Sequence, residues 1–299
     1  MPFPDFDPVL ISIGPLDLRW YALAYVAGIV LGWWYANRLA RNTAIWAPGQ
    51  PPATTTQVDD LVLYITLGII LGGRLGYALF YQPHLYGQLL SGPDNFALFR
   101  LWDGGMSFHG GLIGVSLAIL WFSWRNKIRL LSLGDLVAPV VPIGLGFGRL
   151  ANFINGELYG RETTVPWGVN FCNDRMQDIF GPTCQAVTSD GLIVGPGDVV
   201  RHASQLYEAG LEGIVLFGVL ALAVYKWKLL RKPGYVTGLF LFGYGLIRAS
   251  LETVRQPDAG LENLPLGLTM GMALSIPMML IGAWLIWRAW SRPPVQAAA

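Results

Sequence analysis

Long apolar runs alternate with short polar connections along the chain, and seven of them approach the roughly 20 residues that a helix needs to cross hydrocarbon. They cover residues 18–39, 59–81, 109–124, 133–153, 204–225, 235–253 and 267–288. The pattern predicts an all-α integral membrane protein with seven transmembrane helices, forming a single polytopic domain over residues 1–299. Basic residues sort by connection. Arg38 and Arg41 follow the first span, Arg125, Lys127 and Arg129 separate the third from the fourth, Lys226, Lys228, Arg231 and Lys232 separate the fifth from the sixth, and Arg288 and Arg292 follow the seventh. Short basic loops stay in the cytoplasm, so the N-terminus is expected outside and the C-terminus inside.

The opposite side then carries two long connections, 82–108 and 155–203, and the short segment 256–266. The second, rich in Gly, Pro, Asp and Thr, is expected as a small extracytoplasmic cap inserted between spans four and five. It holds both cysteines, Cys172 and Cys184, read either as a disulfide or as two free thiols. Trp20, Tyr21, Trp33, Trp34, Trp287 and Trp290 stand near span ends, where interfacial anchoring places aromatic rings. Pro139, Pro142 and Pro277 predict kinks.

Composition agrees with the membrane reading: 53% of residues are hydrophobic and 13% charged, against roughly 25% charged in ordinary soluble domains. The net charge of +1 and the lack of a basic arm give no indication of nucleic-acid binding. The acidic N-terminal stretch MPFPDFDPVL lacks the basic region of a signal peptide, so the first span is expected to remain as an anchor.

Against this background the polar residues stand out. The stretch GRLANFINGELYGR, 148–161, places Arg149, Asn152 and Gly156 at spacings that share one helix face. Arg74, His109, Arg248 and Glu252 fall near the outer ends of other spans, Tyr21 opens the first, and His202, Gln205 and Glu208 open the fifth. Each has a structural reading. Arg248 and Glu252, at i and i+4, pair with each other, Arg74 extends to the interface, and His109 is a hydrogen-bonded interfacial residue. Arg74, Arg149 and Arg248 together, however, have Glu252 as the one intramembrane carboxylate counted against them. A surplus of guanidinium in a low-dielectric layer calls for an external anion, and the planar Arg fork matches phosphate. No nucleophile elbow and no metal-ligand spacing accompanies these residues.

The stretch GRLANFINGELYGR resembles the signature of the prolipoprotein diacylglyceryl transferases. WDGGMSFHGGLIG, LGGRLGYALFY, RHASQLYEAGLEG and GYGLIRASLETVRQPD are similar to other blocks of that family, and the likeness runs over about residues 6–285. It departs at Ala151, where the family commonly has Gly. The resemblance implies a bacterial inner-membrane enzyme with seven spans. Such an enzyme moves the diacylglyceryl group of phosphatidylglycerol to the lipobox cysteine of a prolipoprotein signal peptide, forming a thioether and releasing glycerol phosphate, without a cofactor. It also implies His109, Arg149 and Arg248 as catalytic residues, and Tyr21, Asn152, Glu157, Gly160, Tyr244 and Glu252 as substrate-binding residues, with no metal. A transporter or binding protein for an anionic lipid is the competing expectation. It would require repeated halves and a polar route to the cytoplasm.

Overall fold

A computed structural model describes residues 1–4, 6–14, 16–47, 51–91, 96–100, 104–171, 186–187, 193–194, 200–256 and 267–292. Two short strands, β1 (Val9–Ile13) and β2 (Leu16–Arg19), form an antiparallel hairpin that runs directly into helix α1 (Trp20–Arg41). Helices α2 (Thr55–Phe80), α3 (His84–Ser91), α4 (Phe108–Arg125), α5 (Leu130–Val137) and α6 (Val141–Asn155) follow. After a second small hairpin, β3 (Ala186–Val187) with β4 (Ile193–Val194), come α7 (Ser204–Tyr225), α8 (Tyr235–Leu251) and α9 (Met270–Trp290).

Local chemistry explains the helix boundaries. Thr54 and Gln57 form a reciprocal capping box at the start of α2, with N–H···O distances of 3.2 and 3.0 Å. Ser107 caps α4 by accepting from the Gly110 N–H, and Thr269 caps α9 by accepting from Met272. The start of α8 is capped from another helix. Asp135 of α5, fully buried, accepts from the Gly234 N–H at 2.6 Å and from the Thr237 N–H and hydroxyl at 2.7 Å each. Gly156, at φ +70°, closes α6 in the left-handed conformation. Its place is therefore the helix terminus, not the shared face with Arg149 and Asn152 that the spacing predicts.

Alpha5 and α6 meet at a 43° bend around Pro139, whereas α9 continues through Pro277 as one helix. The stretch Ala209–Val215 of α7 is π-helical. Among the described residues three helices, α2, α7 and α9, are long and apolar enough to cross a membrane, and the bent pair α5–α6 passes as a fourth. Their outer faces suit lipid: Leu63, Leu67, Leu71, Leu75 and Leu79 of α2 form an exposed stripe at i, i+4 spacing. The chain is thus a predominantly helical, multi-pass integral membrane protein.

Alpha2 and α4 pack backbone to backbone. A β-carbon on Gly72 or Gly76 would overlap Gly110, and one on Gly114 would overlap Gly68. Small residues at such seams let transmembrane helices approach closely. The main apolar core sits toward the other end of the bundle, around Leu39, Leu133, Leu136, Leu220 and Val224. There Arg231 donates to the Ala44 carbonyl at 2.8 Å, and the Lys232 ammonium lies 4.6 Å from the Trp290 ring centre, so the basic connections gather at that end. A second, smaller cluster unites the N-terminus with the start of the predicted cap, where Phe3 packs on Val169, Phe171 and Phe153. Cys172 and Cys184 lie outside the described residues.

Candidate active site

The site grows from the crossing of α6 with the π-helical stretch of α7. Gly146 and Gly213 face each other so closely that a β-carbon on Gly213 would lie 2.8 Å from the Gly146 Cα. One turn further along α6, this approach brings Arg149 onto two acidic side chains of α7. Its Nε donates to Glu212 Oε2 at 3.1 Å, and its Nη1 lies 3.1 Å from Glu208 Oε2. Glu208 also accepts from Arg255 Nη1 at 3.0 Å through its other oxygen. Arg248 pairs with Glu252 one turn on in α8, and the Glu252 side chain lies against Gly271 of α9, where a β-carbon would meet its Oε1. Tyr244 stands one turn before Arg248 on the same helix, its ring stacked on Phe240.

The charge count therefore differs from the sequence expectation. Glu208 and Glu212, both fully buried, oppose Arg149 and Arg255, while Glu252 opposes Arg248. Among the described residues there is no surplus of guanidinium in this cluster. What the cluster offers instead is asymmetry. The side chains of Glu208 and Glu212 have no exposed surface and Glu252 only 3%, whereas Arg149 and Arg248 retain 16% and 17%. The carboxylates grip the guanidinium groups from the buried side. A guanidinium has five N–H donors, and among the described residues acids engage Arg149 through Nε and Nη1, which leaves N–H donors of the guanidinium unengaged by them.

A second polar group adjoins the first. Asn152, 5% exposed, donates to Glu157 Oε1 at 2.8 Å, and Asn155 donates to the same oxygen at 3.4 Å. Tyr21, tilted against Tyr25 at the start of α1 with ring centres 5.2 Å apart, lies close to both Asn152 and Glu157. Gln205 of α7 donates to the Glu157 carbonyl at 2.6 Å and Ser204 to the Leu158 carbonyl at 3.0 Å, tying the exit of α6 to the start of α7. Gly160 completes the knot. Its N–H donates to the His202 carbonyl at 2.8 Å, and a β-carbon would sit 2.5 Å from the Val254 carbonyl oxygen and 2.6 Å from His202 Cβ. In the described residues Gly160 is thus a close-approach position between three segments.

Two residues singled out from the sequence stand apart. Arg74 neither reaches the interface nor joins the arginine cluster. Its guanidinium donates to the carbonyls of Leu98 at 2.7 Å, Ala97 at 2.8 Å, Gly105 at 3.3 Å and Gly104. Backbone oxygens, not an external anion, satisfy it. His109 is exposed near the start of α4 with its ring edge-on to Phe108, and among the described residues no hydrogen bond or ion pair links it to Arg149 or Arg248. Between the outer surfaces of α7 and the end of α8 runs an open groove of about 570 Å³, walled by Leu211, Ile214, Val215, Leu251 and Val254.

The prolipoprotein diacylglyceryl transferase family model matches residues 8–288. The chain belongs to that family. A phosphatidylglycerol–prolipoprotein diacylglyceryl transferase of Phenylobacterium zucineum (strain HLK1) is 59% identical, with 100% of this chain and 99% of that protein aligned. Proteins of the same name from Caulobacter sp. (strain K31) and Sinorhizobium medicae (strain WSM419) are 54% and 51% identical, covering 98% and 97% of this chain and 96% and 94% of their own lengths. Within the family, the buried carboxylates Glu208 and Glu212 are the members of the cluster whose pairing a reading of isolated motifs overlooks.

Proposed function

We propose that this protein transfers the diacylglyceryl group of phosphatidylglycerol to the thiol of a lipobox cysteine in a prolipoprotein, the first step of bacterial lipoprotein maturation. Seven helices cross the bacterial inner membrane with the N-terminus outside, and the arginine cluster works on the extracytoplasmic side. Family membership over nearly the whole chain supports the reaction, and the gathering of basic connections at the end away from the cluster supports the orientation. The observation that carries the site is the asymmetry of Arg149 and Arg248, whose side chains keep some exposed surface while the acids that pair with them are buried.

The sulfur attacks the glycerol carbon that bears the phosphate ester. A C–S bond forms, the C–O bond to phosphate breaks, and glycerol phosphate departs with the electron pair. Arg149 and Arg248 hold the phosphate oxygens and stabilise the charge growing on the leaving group, the electrostatic contribution that commonly dominates such steps. Glu252 orients Arg248. Tyr21, Asn152 and Glu157 form the polar wall that receives the head group or the peptide, and Tyr244, one turn before Arg248, joins them in binding substrate. A thiol with a reference pKa near 8.5 is mostly protonated at neutral pH, so its proton must be taken up. His109, accessible at the start of α4, is the candidate acceptor, because a neutral imidazole takes a proton at that pH. Both substrates arrive from the bilayer, and no cofactor takes part.

The test is a reconstituted assay with phosphatidylglycerol and a lipobox peptide, following thioether-linked lipid for wild type and Arg149→Ala. Lipidation by the wild type and its loss in a folded variant is the expected result. Full lipidation by Arg149→Ala would remove the phosphate role, and no lipidation by folded wild type would refute the reaction.

A further inference from the structure

Two acids face the one guanidinium of Arg149: Glu212 accepts its Nε–H, and Glu208 forms an ion pair with its Nη1 while being held by Arg255 through the other oxygen. Glu212 adds a further fully buried carboxylate whose Oε1 has no hydrogen-bond partner. Burying a carboxylate is costly, so a second one set against a single guanidinium needs a further reason to be there. Its evident contribution is charge. With Glu212 present, Arg149, Arg248 and Arg255 face Glu208, Glu212 and Glu252, and the cluster is neutral.

The two phosphates that this site meets differ in charge. The donor is a phosphodiester with one negative charge, whereas the departing glycerol phosphate is a monoester carrying about −1.5 to −2 at pH 7. In a low-dielectric site, attraction scales with the product of charges, so a cationic cluster would hold the product more tightly than the substrate. Such retention would make product release slow and limit turnover. We propose that Glu212, together with Glu208, is a counter-charge that keeps the arginine site from retaining glycerol phosphate, making product release a property built into the π-helical stretch of α7. This rests on reading Arg149 as the phosphate-binding group.

The full-length protein in detergent, supplied with phosphatidylglycerol and a lipobox peptide, allows the inhibition constant for added glycerol phosphate to be measured beside the KM for the lipid. Glu212→Gln keeps the side-chain volume and an acceptor for Arg149 Nε while removing the charge. Its inhibition constant should fall about tenfold, the scale of one partly screened charge at a few ångströms, and kcat should fall as release slows. Glu212→Asp, which keeps the charge, should stay near the wild-type inhibition constant. An unchanged or higher inhibition constant in folded Glu212→Gln overturns the inference. Should that variant fail to fold, the wild type alone decides: an inhibition constant above the lipid KM is expected, and one below it overturns the inference. Arg149→Lys separates the two levels. A raised lipid KM there with an unmoved constant in Glu212→Gln sinks only the counter-charge role, whereas an unchanged KM removes the phosphate-binding reading itself.

Discussion

Replacing Arg74 with Met tests whether this arginine holds the protein together or holds substrate. Its guanidinium donates to four backbone carbonyls in the segment that leads into α4, and the Ser107 N–H reaches back to the Gly73 carbonyl at 2.9 Å. Methionine fills most of the volume and donates nothing. Gly104 is exposed, so water can replace the arginine there, but Ala97 and Leu98 are 6% and 2% exposed and their carbonyls would be stranded. Two buried acceptors without donors cost about 1–3 kcal/mol each, and partial relaxation brings the total to about 3 kcal/mol. The loss falls on one segment, so it should surface as local opening rather than global unfolding. Hydrogen exchange followed by mass spectrometry should show amides of 96–100 and 104–107 exchanging about a hundredfold faster, while the interior of α7 is unchanged. Lipidation should fall with the order of this segment, because it delivers Ser107 and His109 to the start of α4. Unaltered exchange together with a raised KM for phosphatidylglycerol would refute the reasoning and return Arg74 to the phosphate site.

Other substitutions probe the remaining assignments. Gly160→Ala forces a β-carbon against the backbone of Val254 and His202, a clash costing about 1–3 kcal/mol or more. Loss of activity should therefore accompany a lower thermal midpoint in detergent, and an inactive protein of wild-type stability would show instead that Gly160 touches substrate. Asp135→Ala uncaps α8 and strands the Gly234 and Thr237 N–H groups, with an expected loss of about 2–4 kcal/mol in thermal or denaturant unfolding; unchanged stability would contradict the cap. His109→Gln should slow turnover and change the shape of its pH profile. A near-normal rate and profile would take the base role away from His109.

Much of the architecture was legible because hydrocarbon imposes a simple code: an apolar run of the right length must be helical. Helices lie in the predicted stretches, the fourth as the bent pair α5–α6, and among the described residues α2, α7, α9 and that pair have the length and composition of membrane spans. The hairpin of Val9–Arg19 was not anticipated, since β1 and β2 are five and four residues long and lack a strong alternation. At the site, the spacing of Arg149 and Asn152 told correctly that one face of α6 carries polar groups, but the accounting of charge went astray. Glu208 was read as part of a span start and Glu212 was left out, although two carboxylates four residues apart in an apolar helix call for partners as strongly as Arg149 does. Which cation answers which anion depends on helix crossing, and the Gly146–Gly213 approach that decides it is a tertiary fact. Arg74 was misjudged for a related reason. Its partners are main-chain oxygens, which every residue carries and no motif advertises.

The glycine seam between α2 and α4 has a mechanical consequence. Where Gly72 and Gly76 meet Gly110, and Gly68 meets Gly114, there are no side chains to change rotamer, so displacement cannot be absorbed by repacking. The two helices behave as a single stiff plank. The contact of α7 with the end of α8 is of another kind, lined by Leu211, Ile214, Val215, Leu251 and Val254, whose side chains can yield. Compliance in this bundle is thus unevenly distributed: it is lowest where backbone touches backbone and greatest along the branched side chains that flank the arginine cluster.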